Sequence, residues 1–380
     1  MVKILSFIIL FSLMHVYADA QQPCNDEVIM NAKGSWKKIA DANPFPDESF
    51  PKNQFPMANS RIDKMQKILQ AAYPEPKGME AIWNHSISGE PQIKGGPTPY
   101  SLNAGFLGYY CSYEKKIVSA DEARGGETGT WMYIWANQLN GWFAEFVKYY
   151  TIHKLPVYLL PKRMGVLNGY PLYEGIRKFS NAIIITRSGQ TPYLPVTQKQ
   201  FLKAFINYKE KKFVKNLALE TDRSVRTDAE EEEAMRKGWE YQSKFYKGDV
   251  AVRRKAEYFK NYISDKQRKE LNITLLKTSF GDDLKPARKL LADSLNTDLE
   301  IPALLDLDNL LLFKQFIAEK NGGQELVRLN PDYFDLSLPK YIPQLLIVHW
   351  SWDDRIPANY WRTRIEKNFD FNALKEMIDK

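Results

Sequence analysis

The chain has 380 residues, 44% apolar and 13% aromatic, with 53 Lys/Arg against 46 Asp/Glu for a net charge of +7. That composition excludes a disordered or fibrous chain, and the length suits two domains or one large one whose core needs no metal to hold it. The charge also falls in blocks of alternating sign, which argues against a nucleic-acid face: residues 199–226 carry 8 basic and 3 acidic side chains, 228–240 carry 2 and 6, and 244–270 carry 9 and 4. A nucleic-acid surface keeps one sign along a face, whereas alternating blocks suit helices folded against one another.

Residues 1–20, MVKILSFIILFSLMHVYADA, have the form of a secretory signal peptide. Lys3 supplies the positive start, residues 4–16 the apolar run, and Ala18-Asp19-Ala20 the small-x-small exit. The run is too short for a spanning helix, which needs about 20 apolar residues, and no later stretch approaches that length. The expectation is export to the periplasm or beyond, with no transmembrane segment after cleavage. Cys24 follows Gln21-Gln22-Pro23, which is not a lipidation site. In an exported protein, Cys24 and Cys111 form an even pair and predict one disulfide.

Residues 21–58 are rich in Pro and Asn and read as an extended arm. Over 59–195 comes a short helix, capped by Ser60 and stopped by Pro74, and then a β-rich core. Its expected strands are 106–113, 130–136, 156–160, 170–174 and 182–187, and Asn168-Gly169 is the clearest hairpin turn. Residues 196–271 read as a helical arm, opened by Thr197 and punctuated by a capping box at Thr227 to Glu230. In the mixed α/β segment 272–380, helices are expected at 285–295, 306–320 and 372–379. A turn-rich loop at 329–335 feeds a buried strand at 343–350 that returns to the sheet. The predicted fold class is α+β: a mainly antiparallel sheet with an inserted helical arm and a returning C-terminal segment.

The stretches AYPEPKGMEA (72–81), TRSGQTPYLPVT (186–197), LNPDYFD (329–335) and PQLLIVHW (343–350), together with the signal peptide, resemble a group of uncharacterised exported proteins of Bacteroidota. The resemblance implies a lineage and a compartment and carries no activity.

Motifs for metal, nucleotide or nucleophile chemistry are missing: the flanks of His85, His153 and His349 lack metal-ligand spacing, and there is no GxSxG elbow, phosphate loop or GxGxxG. No cofactor is expected. Asn84-His85-Ser86 and Asn272-Ile273-Thr274 match the glycosylation triplet, a pattern that often arises by chance. Two candidate sites remain. His349, at a strand end with Asp353 and Asp354 close behind, suggests a general base oriented by a carboxylate, as in a hydrolase. Trp131, Tyr133 and Trp135 alternate on one strand face with Trp142 close behind, and such rings can stack on sugars or peptides. Met132 and Ile134 make the opposite face apolar too, which favours plain core packing. The expected function is a non-catalytic binding or structural protein of the cell envelope, with an envelope protein or glycan as partner and a hydrolase as the alternative.

Overall fold

The computed structural model describes residues 24–41, 51–87, 91–112, 116–118, 129–139, 150–175, 178–187, 189–293 and 298–380. The signal-peptide reading therefore falls outside the described residues. Two compact units are present: one of Met1–Glu145, Leu160–Leu194 and Leu329–Lys380, the other of Phe146–Leu159 and Pro195–Arg328. As its composition and strand signals implied, the chain is α+β, with an inserted helical segment and a C-terminal strand returning to the sheet.

The first unit is built on an eight-stranded sheet. Its strands are β1 (Trp36–Lys38), β2 (Met79–Ile87), β3 (Tyr100–Gly108), β6 (Trp131–Ala136), β9 (Arg163–Leu167), β10 (Tyr170–Glu174), β11 (Ser180–Ile185) and β15 (Leu346–Ser351). Their order across the sheet is β1-β2-β3-β6-β15-β11-β10-β9, and among the described residues only the β1–β2 pair is parallel. The late strand β15 lies at the centre, between β6 and β11, and every one of its residues is buried. The expected hairpin joins β9 to β10 with Leu167 opposite Tyr170; Asn168 and Gly169 both take positive φ, the requirement of a tight turn with right-handed twist. A two-residue ribbon, β4 (Tyr110–Cys111) with β5 (Ile117–Val118), stands apart from the sheet.

Three helices pack on one face of this sheet: α2 (Phe55–Ala72), α8 (Ile356–Asn368) and α9 (Phe371–Lys375). Ile62, Met65 and Leu69 of α2, and Trp361 and Ile365 of α8, meet Leu102, Phe106, Ile134, Val348 and Trp350 from the strands. Burying each such side chain contributes about 1.5–3 kcal/mol. Residues 24–41 are not simply extended: they form α1 (Asp26–Asn31), capped by Asn25, and then β1. Helix α2 starts at Phe55 with Pro56 in its first turn, five residues before Ser60, because proline's fixed φ suits that position. Cys24 and Cys111 are bonded. Closing a loop with a sequence separation of 87 stabilises by about 4 kcal/mol in the chain-entropy account.

Gln344 fastens the chain as it enters β15. It is fully buried, its Oε1 accepts from Arg187 Nη2 and Asp335 N at 2.7 Å each, and its Nε2 donates to Asp335 O. Tyr333 donates to Gln344 O at 2.6 Å and accepts from Arg187 N. Asn137, at positive φ just beyond β6, donates to Thr98 O and Ile342 O and accepts from Gln344 N. The buried amides of Gln344 and Asn137 thereby find partners, as burial requires.

The second unit holds the helical segment α3 (Gln198–Asp222), α4 (Asp228–Ser243), α5 (Gly248–Asn261) and α6 (Asp265–Ala292). Thr197 and Thr227 cap α3 and α4 as the sequence indicated, and the cap at Thr197, like that at Thr227, is a full capping box, closed by Gln200. A third box at Ser264 starts a 28-residue helix that runs on through Pro286, so the helix expected at 285–295 is the end of a longer one. Helices α3 and α6 are fastened by Phe213 stacked on Phe280 at 4.1 Å and by ion pairs Lys209–Asp283 and Arg288–Glu210 at 2.9 Å each. Glu231, from the acidic block, accepts from Tyr262 and faces Arg226 at 3.8 Å. Strands β7 (Thr151–Ile152), β8 (Leu155–Leu159), β13 (Leu304–Leu305) and β14 (Gln324–Leu329) frame a second core around Phe201, Phe205 and Phe313. The helix expected at 306–320 shrinks to α7 (Leu307–Leu311): Asn309 Oδ1 accepts from the backbone of Lys314 and Gln315 and turns the chain away.

Candidate functional site

Alternation along each strand sends its side chains to two unlike faces. On β6, Met132, Ile134 and Ala136 are fully buried against the helices, while Trp131, Tyr133 and Trp135 point the other way and keep part of their surface exposed. The two faces of β6 thus differ in burial, complete on one and partial on the other. The three rings are parallel: Trp131 to Tyr133 is 6.2 Å between centroids at 9°, and Tyr133 to Trp135 is 5.2 Å at 6°. At such spacing parallel rings are offset-stacked, the arrangement favoured by aromatic quadrupoles.

Strand β3 makes room for them. Its residues opposite the rings are Gly105 for Trp131, Asn103 for Tyr133 and Ser101 for Trp135. A Cβ at position 105 would stand 2.7 Å from the Trp131 ring, so glycine allows the indole to lie across the neighbouring strand. Ser101 donates to Asn103, Asn103 to Asn84 on β2, and Asn84 to Ala40 O, each at 2.9–3.1 Å. A polar rail of side-chain amides thus runs beside the aromatic ladder.

His349 belongs to the same site. It faces Tyr133 directly across β15 and β6, and its ring lies nearly parallel to Trp135 at 5.6 Å and Tyr133 at 6.1 Å. Two candidates that the sequence presents separately, a histidine and an aromatic strand, are brought together, with the histidine buried beside the rings. Of the carboxylates behind His349, one is engaged by an arginine and the other is exposed. Asp353 accepts from Arg355 through Nε at 2.9 Å and Nη2 at 2.5 Å, from the Arg355 backbone at 3.0 Å, and from Thr130 at 3.5 Å. Burial opposes its ionisation, but the hydrogen bonds and charge of Arg355 outweigh that and hold its pKa below the usual aspartate range. Asp354 is exposed, and its backbone carbonyl accepts from Asn359. Trp142 lies outside the described residues.

The other two histidines have separate settings. His153 and Lys154, both at positive φ, form the exposed turn between β7 and β8. His85 is buried on the helix-covered face, with Nε2 2.9 Å from Asp63 Oδ1 and Nδ1 3.6 Å from Asp41 Oδ2. This His–carboxylate cluster went unread in the sequence because Asp41, Asp63 and His85 are 22 to 44 residues apart; only the β1–β2 pairing and the packing of α2 join them. Among the described residues no group of three His, Cys, Asp or Glu side chains is gathered as a metal ion would need, and no helix is long and apolar enough to cross a membrane. Comparison with protein-family models, with curated proteins and with solved structures finds no match to this chain.

Proposed function

We propose that this chain is an exported, non-catalytic binding protein of the cell envelope, and that the ladder of Trp131, Tyr133 and Trp135 takes a glycan. The observation that carries the reading is the parallel stack itself: three large rings aligned on the sheet face turned away from α2, α8 and α9, each keeping part of its surface exposed. Sugar rings offer flat C–H faces that complement aromatic faces, and hydroxyls that suit amide partners such as Asn84 and Asn103. The signal-peptide pattern at residues 1–20 supports export, as does the Cys24–Cys111 bond, a linkage that persists in oxidising compartments. The resemblance to exported proteins of Bacteroidota points to the same compartment.

A hydrolase built on His349 with Asp353 or Asp354 draws less support, because Asp353 is committed to Arg355. Calorimetric titration of the mature protein with a panel of soluble neutral oligosaccharides tests the proposal. Expected is binding by at least one of them, weakened about tenfold or more by Trp135→Ala and by Gly105→Ala, which displaces Trp131. Affinity unchanged in both variants, or absence of binding across the panel, would remove the ladder from the function. Release of reducing ends that is lost in His349→Ala would instead establish the hydrolase.

A further inference from the structure

The TRSGQTPYLPVT stretch has no part in the ladder, yet it walls a cleft of about 340 Å³ on the first unit. The cleft lies toward the β9 edge of the sheet, bounded by Tyr170 and Tyr173 of β10, the end of β11, and the loop over Gln190, Thr191 and Tyr193. It is large enough for a ligand the size of a single sugar.

The charge of its walls is one-sided. Arg187 and Lys375 line it, and no Asp or Glu does among the described residues. Arg187 is locked in place by Asp379 through Nε at 2.8 Å and Nη2 at 2.7 Å, by Gln344, and by Tyr333 O, so its charge is matched and its geometry fixed. Lys375, from α9, is held by a neutral group instead, donating to the Thr186 carbonyl. One ammonium charge therefore stands at the rim of a cleft that also offers tyrosine rings and the side chains of Gln190 and Thr191.

We infer that this cleft is a binding site for a small sugar acid, its carboxylate on Lys375 and its hydroxylated ring against the tyrosine wall and Thr191. A carboxylate completes the charge at Lys375 with a charge-assisted hydrogen bond, stronger than the carbonyl contact it supplements. Ring hydroxyls find donors and acceptors in the Gln190 amide and Thr191 hydroxyl. The inference is independent of the ladder, since no cleft residue belongs to it.

Calorimetry or NMR titration of the mature protein with D-glucuronate, D-glucose and acetate tests it. Glucuronate is expected to bind about tenfold or more tightly than either glucose, which lacks the carboxylate, or acetate, which lacks the ring. Lys375→Gln should erase the preference over glucose, and Lys375→Arg should restore part of it. The comparison among the three ligands needs no variant, so it stands even if position 375 proves sensitive. Equal affinities, failure of glucuronate to bind, or a preference that survives Lys375→Gln would each overturn the assignment.

Discussion

The two faces of the eight-stranded sheet are made from the same strands, one residue apart, and they follow different rules. The face under α2, α8 and α9 is a close-packed apolar core: Phe106 meets Trp361 at 4.6 Å, and Ile134, Val348 and Trp350 are sealed from water. On the opposite face a line of residues from four adjacent strands, Asn103, Tyr133, His349 and Ala182, combines an amide, a phenol, an imidazole and a methyl group. The first face repays burial with stability. On the second, Trp131, Tyr133 and Trp135 keep part of their surface exposed beside the buried His349 and Ala182, and polar side chains stand among the apolar ones.

The comparison breaks most visibly on the core face. Trp361→Ala should lower unfolding stability by about 3–5 kcal/mol, read as a fall in the denaturant midpoint at constant slope, because the cavity opens against Phe106 and the strands. A smaller cost is expected at the entrance to β15. Gln344→Ala leaves the backbone N–H of Asp335 and one Arg187 donor without their acceptor, a loss of about 1–3 kcal/mol.

The next effect depends on pH, at the end of the strand that carries His349. Asp353 has a folded pKa held below its unfolded value by Arg355, so its contribution is fully present above the ordinary aspartate pKa of about 3.9. It is lost as pH falls through the lowered folded value. Wild type and Asp353→Asn should therefore differ in urea stability at neutral pH and converge in strong acid. A difference that persists unchanged into strong acid would show that the carboxylate's charge is not what matters there.

How much of this was legible follows from what each strand shows to the pattern. Strands β6, β10, β11 and β15 were found to within three residues, because apolar runs and an Asn-Gly turn mark them. Strand β2 was not found, and most of β3 was placed too late: the alternation is present, but Asn84, Asn103 and Gly105 on the ladder face are poor strand formers that read as turn signals. The polar rail that gives the face its character is what concealed its strands. Helix α8 went unread between Asp354 and Asn368 under its charged residues, although Pro357 in its first turn was an available start signal. The union of His349 with the ladder depends on the β6–β15 register, with more than 200 residues of chain between them. No local pattern carries that register.

Neighbouring residues of β6 offer the most direct measurement of the central claim, that the two faces serve different ends. Ile134 and Tyr133 are adjacent in sequence and point to opposite faces. Ile134→Ala should cost about 2–5 kcal/mol of unfolding free energy, and Tyr133→Ala, on the half-exposed face, about 1 kcal/mol. Equal losses at the two positions, or a larger one at Tyr133, would mean that the ladder is core after all.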